Sequence, residues 1–165
     1  MENSPLLGVI SDTHDNRPLI RKAVRILISR KINHLIHAGD FISPFTAADF
    51  NGLSCPFTGV FGNNDGERLG LAEAYSSLGS IHSVSTELNI CERKLYIRHE
   101  PDAVESVAKS QEYDIVVYGH THKIDIRQVG KSLLVNPGEC CGWVSGSPTV
   151  LVVNLTSLEV EKILL

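Results

Sequence analysis

Short apolar runs and one helical rhythm divide the first part of the chain. Leu6 to Ile10 is apolar and bounded by polar residues, the pattern of a buried strand. Asp15-Asn16 then offers a helix cap and Pro18 suits a first turn. Ile20, Ala23, Val24, Leu27 and Ile28 recur at helical spacing, which predicts an amphipathic helix over residues 17–30. His34 to His37 reads as a second strand closed by Ala38-Gly39-Asp40. Ser43-Pro44 opens a helical segment through about Phe50. Phe57 to Phe61 is a third strand closed by Gly62-Asn63-Asn64-Asp65-Gly66. This β-α-β-α-β order implies a parallel sheet with crossover helices.

The second half changes character. Residues 80–84, 86–90 and 94–99 are short segments separated by turn residues and read as a meander. Residues 102–111 form a helical segment with Val104, Val107 and Ala108 on one face. Residues 115–118 are a fully apolar strand ending at Gly119, and further strands are predicted over 124–129, 132–135, 149–154 and 159–164.

The chemistry sits where these strands end. Asp12-x-His14, Gly39-Asp40, Gly62-Asn63, His99 and Gly119-His120-x-His122 each follow an apolar run. In extended backbone, residues i and i+2 point to the same side, so Asp12 and His14 can converge, and so can His120 and His122. Open α/β sheets place ligands at the carboxyl ends of their strands. The set supplies two carboxylates, one amide oxygen and four imidazoles. That mixture of hard oxygen and borderline nitrogen suits Mn²⁺, Fe²⁺, Zn²⁺, Ni²⁺ or Co²⁺, and it lacks the thiolates of a structural zinc site.

Composition narrows the setting. At 165 residues, 42% hydrophobic and 21% charged, the chain reads as a single globular domain over residues 1–165. A net charge of -4 argues against general nucleic-acid binding. Met1-Glu2-Asn3-Ser4-Pro5 lacks the basic start of a signal peptide, and no apolar stretch approaches membrane-span length. Four cysteines without a C-x-x-C spacing read as reduced thiols. A cytoplasmic protein without membrane association is expected.

Taken in order, Ser11-Asp12-Thr13-His14, His37-Ala38-Gly39-Asp40, Gly62-Asn63-Asn64-Asp65, Gly119-His120-Thr121-His122 and Asn136-Pro137-Gly138 resemble the calcineurin-like metallophosphoesterases. The small bacterial and archaeal phosphodiesterases of that superfamily resemble the chain over essentially its whole length. The resemblance implies a four-layer αββα sandwich, two mixed sheets face to face with helices outside. It implies two divalent ions, manganese foremost, with Ni²⁺, Fe²⁺ or Zn²⁺ as alternatives. Asp12, His14 and His122 would hold one ion, Asn63, His99 and His120 the other, and Asp40 would bridge them. The implied reaction is hydrolysis of a small phosphodiester by in-line attack of a hydroxide that bridges the ions. Asp40, Asn64 and His99 fall in the catalytic machinery, and Asn16 and Asn64 at the substrate. Homodimers or homotetramers are common among such relatives.

Two departures stand out. Asn64 occupies the place where many relatives carry a histidine that protonates the leaving group. An amide cannot do so, which favours activated diesters such as aryl ones over alkoxide leaving groups. Glu100-Pro101 follows His99 where relatives usually have glycine. Two alternatives of the same fold are a weakly catalytic protein-binding scaffold like a retromer subunit, and a phosphomonoesterase. Outside the motif set, His34 and His82 read as ordinary structural histidines. His37 and Asp65 read as supports or turn residues, Asn136-Pro137-Gly138 as a turn, and the segment from Cys140 to Trp143 as core or interface packing.

Overall fold

The computed structural model of the chain describes residues 4–165; the leaderless reading of Met1–Asn3 lies outside them. The strands Leu6–Ile10 (β1), His34–His37 (β2), Phe57–Val60 (β3), Gly79–His82 (β4), Thr149–Asn154 (β10) and Val160–Leu164 (β11) form one sheet, ordered β11-β10-β1-β2-β3-β4. The strands Ser85–Ile90 (β5), Arg93–Arg98 (β6), Ile115–Val117 (β7), Ile124–Val129 (β8) and Ser132–Pro137 (β9) form a second sheet, ordered β5-β6-β7-β9-β8. Strands β1 to β4 are parallel, as are β6, β7 and β9, and the outer pairings are antiparallel.

Three cores make the four layers. Leu7 and Val9 of β1, Ile36 of β2, Ile115 and Val117 of β7, Leu133 and Val135 of β9, and Leu151 and Val153 of β10 meet between the sheets. Their alternates face outward: Ile10, Val150 and Val152 lie under the helix Arg17–Ser29 (α1), while Val116 and Leu134 lie under the helix Val104–Ser110 (α3). Successive strand side chains point to opposite faces, and here both faces are covered. That is why these strands are apolar throughout instead of alternating. Each such side chain, fully buried, contributes about 1.5–3 kcal/mol.

On the outer face of the first sheet, α1 buries Ile20, Ala23, Val24 and Leu27, as its spacing predicts. A 3₁₀ segment, Pro44–Phe50, packs beside it with the helix Arg68–Tyr75 (α2). Phe50, Phe57 and Tyr75 form an aromatic cluster with Phe41, with ring centroids 5.0–6.3 Å apart.

Two sequence expectations are corrected. The helix α2 was not anticipated: it is short, contains Gly70, and buries only Leu71 and Tyr75, too few positions for a visible period. Its crossover in turn decides the place of β4, which pairs parallel with β3 instead of opening a meander. Only β5 and β6 form the expected hairpin.

Candidate metal centre

The carboxyl ends of β1, β2, β3, β6, β7 and β9 converge at one edge of the sandwich. Backbone hydrogen bonds stitch the loops that leave them: Asp12 N–H to Gly39 O at 2.9 Å, His14 N–H to Asp40 O at 3.1 Å, Gly119 N–H to His99 O at 2.9 Å, and Cys141 N–H to Asp12 O at 3.0 Å. Asp12, His14, Asp40, His120 and His122 all have positive φ, between 38° and 67°. Non-glycine residues adopt this region at a cost and concentrate there at functional sites. Two glycines allow the close approach. A Cβ on Gly62 would lie 2.1 Å from Asp40 Oδ1, and one on Gly119 would lie 2.1 Å from Ser11 Oγ. Gly119→Ala is therefore expected to displace the Asp12 loop and lower metal affinity at least tenfold, on the scale of losing a ligand's support; calorimetry with wild-type affinity would contradict this.

All seven candidate ligands come together. Asp12 Oδ1 lies 3.3 Å from His122 Nε2 and 3.8 Å from His14 Nε2. Asn63 Oδ1 lies 3.0 Å from His99 Nε2 and 2.7 Å from His120 Nδ1. Asp40 Oδ2 stands between the two groups, 3.4 Å from both His14 Nε2 and His99 Nε2. Asp12 is fully buried, yet its Oδ1 has no hydrogen-bond partner, and neither does His14 Nε2. A buried polar atom left bare costs about 1–3 kcal/mol, and a cation among these atoms removes that cost. The donor set fits divalent metal.

The remaining atoms of the same side chains are held from behind. Asp12 Oδ2 accepts from Ser11 Oγ at 2.5 Å and from His120 N–H at 3.1 Å. His99 Nδ1 donates to Ala38 O at 2.6 Å, leaving Nε2 with a lone pair toward the cluster. The Glu100-Pro101 turn leaves His99 fully buried, and Glu100 faces Arg98 at 3.7 Å.

Sequence reasoning missed Glu139. Its buried carboxylate accepts from His122 Nδ1 at 2.7 Å, from Val144 and Ser145 N–H, and from the Ser145 hydroxyl and the Cys141 thiol. Burial alone would raise its pKa, but the Ser145, His122 and Cys141 contacts bring it down to about 2. A glutamate one residue beyond Asn136-Pro137-Gly138 was the available signal. Asp65 is both turn residue and support, since it accepts the N–H groups of Gly62, Asp40 and Ile42. His37 stacks on Phe41 with centroids 3.7 Å apart, and its Nε2 meets the Thr13 hydroxyl at 3.0 Å. Asn136 donates to Gly119 O at 2.7 Å and so fixes the start of the His120–His122 loop.

Electrostatics separate the histidines. Burial lowers His14 and His99, but Asp12 and Asp40 outweigh it at His14, and Asp40 outweighs it at His99, so both lie above their ordinary value. Burial, aided by His99, holds His37 well below it. For Asp40, burial raises the pKa, but His99 and Asn64 override it and hold the group far below the usual carboxylate range. In the metal-free chain, His14 and His99 stabilise the fold below about pH 6.5, and that contribution is lost as pH rises through their raised values. His37 acts oppositely, stabilising above that range and losing its contribution as pH falls. Histidine NMR titration of the metal-free chain should show His14 and His99 titrating above about 6.5 and His37 below it. Metal must displace protons from the first two, so its affinity should strengthen as pH rises through their raised values; a pH-independent affinity would contradict the ligand set.

Asn64 donates its N–H and Nδ2 to Asp40 Oδ1 and Oδ2 at 2.9 and 2.8 Å. Asn16 makes no side-chain cap; its Nδ2 is spent on Cys141 O at 2.7 Å. His34 meets Thr58 Oγ1 and His82 meets Ser80 Oγ, both away from the cluster. Cys140 and Cys141 are buried in the core, as read from sequence. The Cys141 thiol lies within 4.8 Å of ligand atoms of His14 and His122; burial and Glu139 push it up to about 12. Trp143 is exposed, with its indole N–H on His14 O at 3.2 Å.

Two mixed sheets between helices, with this cluster at their common edge, define a phosphoesterase class. Residues 6–158 match the calcineurin-like phosphoesterase superfamily domain, and the chain belongs to that family. It is 37% identical over 163 residues to a phosphodiesterase of Methanocaldococcus jannaschii, covering 96% of this chain and 98% of that one. The solved structure of an archaeal phosphodiesterase superposes with a TM-score of 0.92 at 37% identity, covering 97% of this chain and 99% of its own. A Vps29 mutant of Entamoeba histolytica superposes with a TM-score of 0.71 at 18% identity, covering 97% and 99%, a likeness of fold alone.

Proposed function

We propose that the chain is a phosphodiesterase that works with two divalent metal ions. The observation that carries this reading is the pair of bare buried atoms, Asp12 Oδ1 and His14 Nε2, set within reach of Asp40 and His122. Asp12, His14 and His122 would hold one ion, Asn63, His99 and His120 the other, with Asp40 shared. Manganese is the first candidate, and nickel, iron or zinc suit the same donors. When bound, the ions supply Lewis acidity and an activated water.

The chain's residues do the rest. Asp12 and Asp40 offset only half the charge of two divalent ions, so the site attracts an anion and suits a singly charged diester. Asn64 holds both Asp40 oxygens in place and presents its amide at the mouth of the site. It carries no proton to give, and the fully buried His99 is hydrogen-bonded to Ala38 O through Nδ1. A leaving oxygen must therefore depart largely unprotonated, which favours aryl over alkyl esters. The identity to the Methanocaldococcus jannaschii phosphodiesterase supports the diesterase reading. A scaffold role is disfavoured because every candidate position retains a ligand-capable side chain. A small soluble substrate, a cytoplasmic setting and action as one domain, as a homodimer or homotetramer, complete the proposal.

The test is turnover of bis(p-nitrophenyl) phosphate by the metal-loaded chain, alongside p-nitrophenyl phosphate and a dialkyl phosphate. Metal-dependent hydrolysis of the aryl diester, with the dialkyl ester at least about 100-fold slower, is expected from the missing acid. No metal-dependent diester hydrolysis would overturn the proposal and favour the scaffold.

A further inference from the structure

Beside the metal-ligand cluster, Ile42, Ser43, Pro44, Phe45, Asn64, Gly66 and Glu67 line an open cavity of about 420 Å³. Two contacts tie it to the site. Asn64, in its wall, donates to both oxygens of Asp40 at 2.9 and 2.8 Å. Asp15, directly after His14, accepts from Ser43 N–H at 3.0 Å and from Ser43 Oγ at 2.5 Å. The cavity therefore opens off the side of the site where Asn64 and Asp40 lie. A slightly larger cavity, about 480 Å³, lies by Leu6, Arg30 and Asn154 at the opposite end of β1, with no such cluster beside it among the described residues.

Phe45 is the unexpected part of this wall. The other four phenylalanines are buried, each 7% exposed or less, whereas Phe45 is 56% exposed. Its ring is nevertheless placed by its neighbours. The Arg17 guanidinium carbon lies 5.4 Å from the ring centroid, and Arg17 is itself clamped on Asp49 by bonds of 2.7 and 3.1 Å. The ring thus stands in water beside a cation that is already anchored. A pre-placed aromatic surface binds another ring with little ordering cost. Ile42 and Pro44 extend the apolar surface, while Glu67 and the Asn64 amide oxygen add polar groups to the lining.

We propose that this cavity is a subsite for an aromatic group, aryl or nucleobase, carried by the phosphodiester and packed against Phe45 while the phosphate sits at the metal centre. The assignment rests on the diesterase reading above, but it is tested by binding and not by turnover. The probes are two non-hydrolysable monoanions, methyl(phenyl)phosphinate and dimethylphosphinate, which carry only P–C bonds. Both are titrated calorimetrically into the metal-loaded full chain.

Wild type is expected to bind the phenyl compound at least tenfold more tightly. Phe45→Ala should narrow that preference to within about threefold, since ring-on-ring packing supplies most of it, and Phe45→Tyr should retain it. Phe45 is exposed, so these variants should fold as wild type does. Equal affinities in wild type, or an undiminished preference in Phe45→Ala, would overturn the subsite. A chain that shows the Phe45-dependent preference but hydrolyses no diester would support the subsite and refute the proposed reaction.

Discussion

Asp40→Ala is expected to lower diester turnover by about 10³-fold or more and, on the proposed two-ion site, to reduce bound metal from two ions per chain to one at most. The size follows from the position of one oxygen. Asp40 Oδ2 is 3.4 Å from His14 Nε2 in one group and 3.4 Å from His99 Nε2 in the other, so its removal affects both. It also strips Asn64 of the acceptor for its N–H and Nδ2. Asp40→Asn is the informative companion. It keeps the size and an acceptor oxygen but lacks the charge, and it should resemble the alanine variant in metal content. Metal analysis beside steady-state kinetics reads both effects. Full activity at full metal content in Asp40→Ala would show that the shared role is misassigned.

Glu139→Ala has the second largest expected effect, although Glu139 is not a candidate ligand. Its carboxylate gathers the Val144 and Ser145 N–H groups, the Ser145 hydroxyl, the Cys141 thiol and His122 Nδ1. Truncation leaves these donors without their partner and frees the His122 ring to turn. A stability loss of about 2–3 kcal/mol is expected from the unpaired donors, water reaching part of the loop. Metal affinity should fall by about 10–100-fold, the usual consequence of losing the group that orients a ligating histidine. Glu139→Gln keeps an acceptor for His122 but sets an amide against donors, so it should fall between. Because folding holds the glutamate's pKa near 2, its contribution is fully present above the ordinary carboxylate range and is lost progressively as pH falls from there through about 2. Denaturant melts of the variant matching wild type would remove Glu139 from this role.

The parts of the fold that showed in the sequence are those where burial imposes a pattern. The continuous apolar strands β1, β7 and β10 lie between two covered faces, and α1 presents four buried residues at helical spacing. The helix α2 escaped because two buried residues make no period, and β4 was misplaced with it because pairing direction depends on the crossover. The candidate ligands were legible for a different reason. Each is a polar side chain just past the end of a strand, and parallel strands deliver their carboxyl ends to one edge. What could not be read was the support that comes from distant loops. Glu139 reaches His122 from 17 residues away, and Asn16 spends its amide on Cys141 across 125 residues. Such contacts follow from loop packing, which leaves no periodic trace in the chain. The exposure of Phe45 was equally invisible, since the sequence does not distinguish it from its four buried counterparts.

Anomalous diffraction from crystals of the manganese-loaded chain tests the central claim most directly. Two peaks are expected, one contacted by Asp12, His14 and His122, the other by Asn63, His99 and His120, with Asp40 contacting both. A single fully occupied peak, or a second peak away from Asn63, His99 and His120, would contradict it.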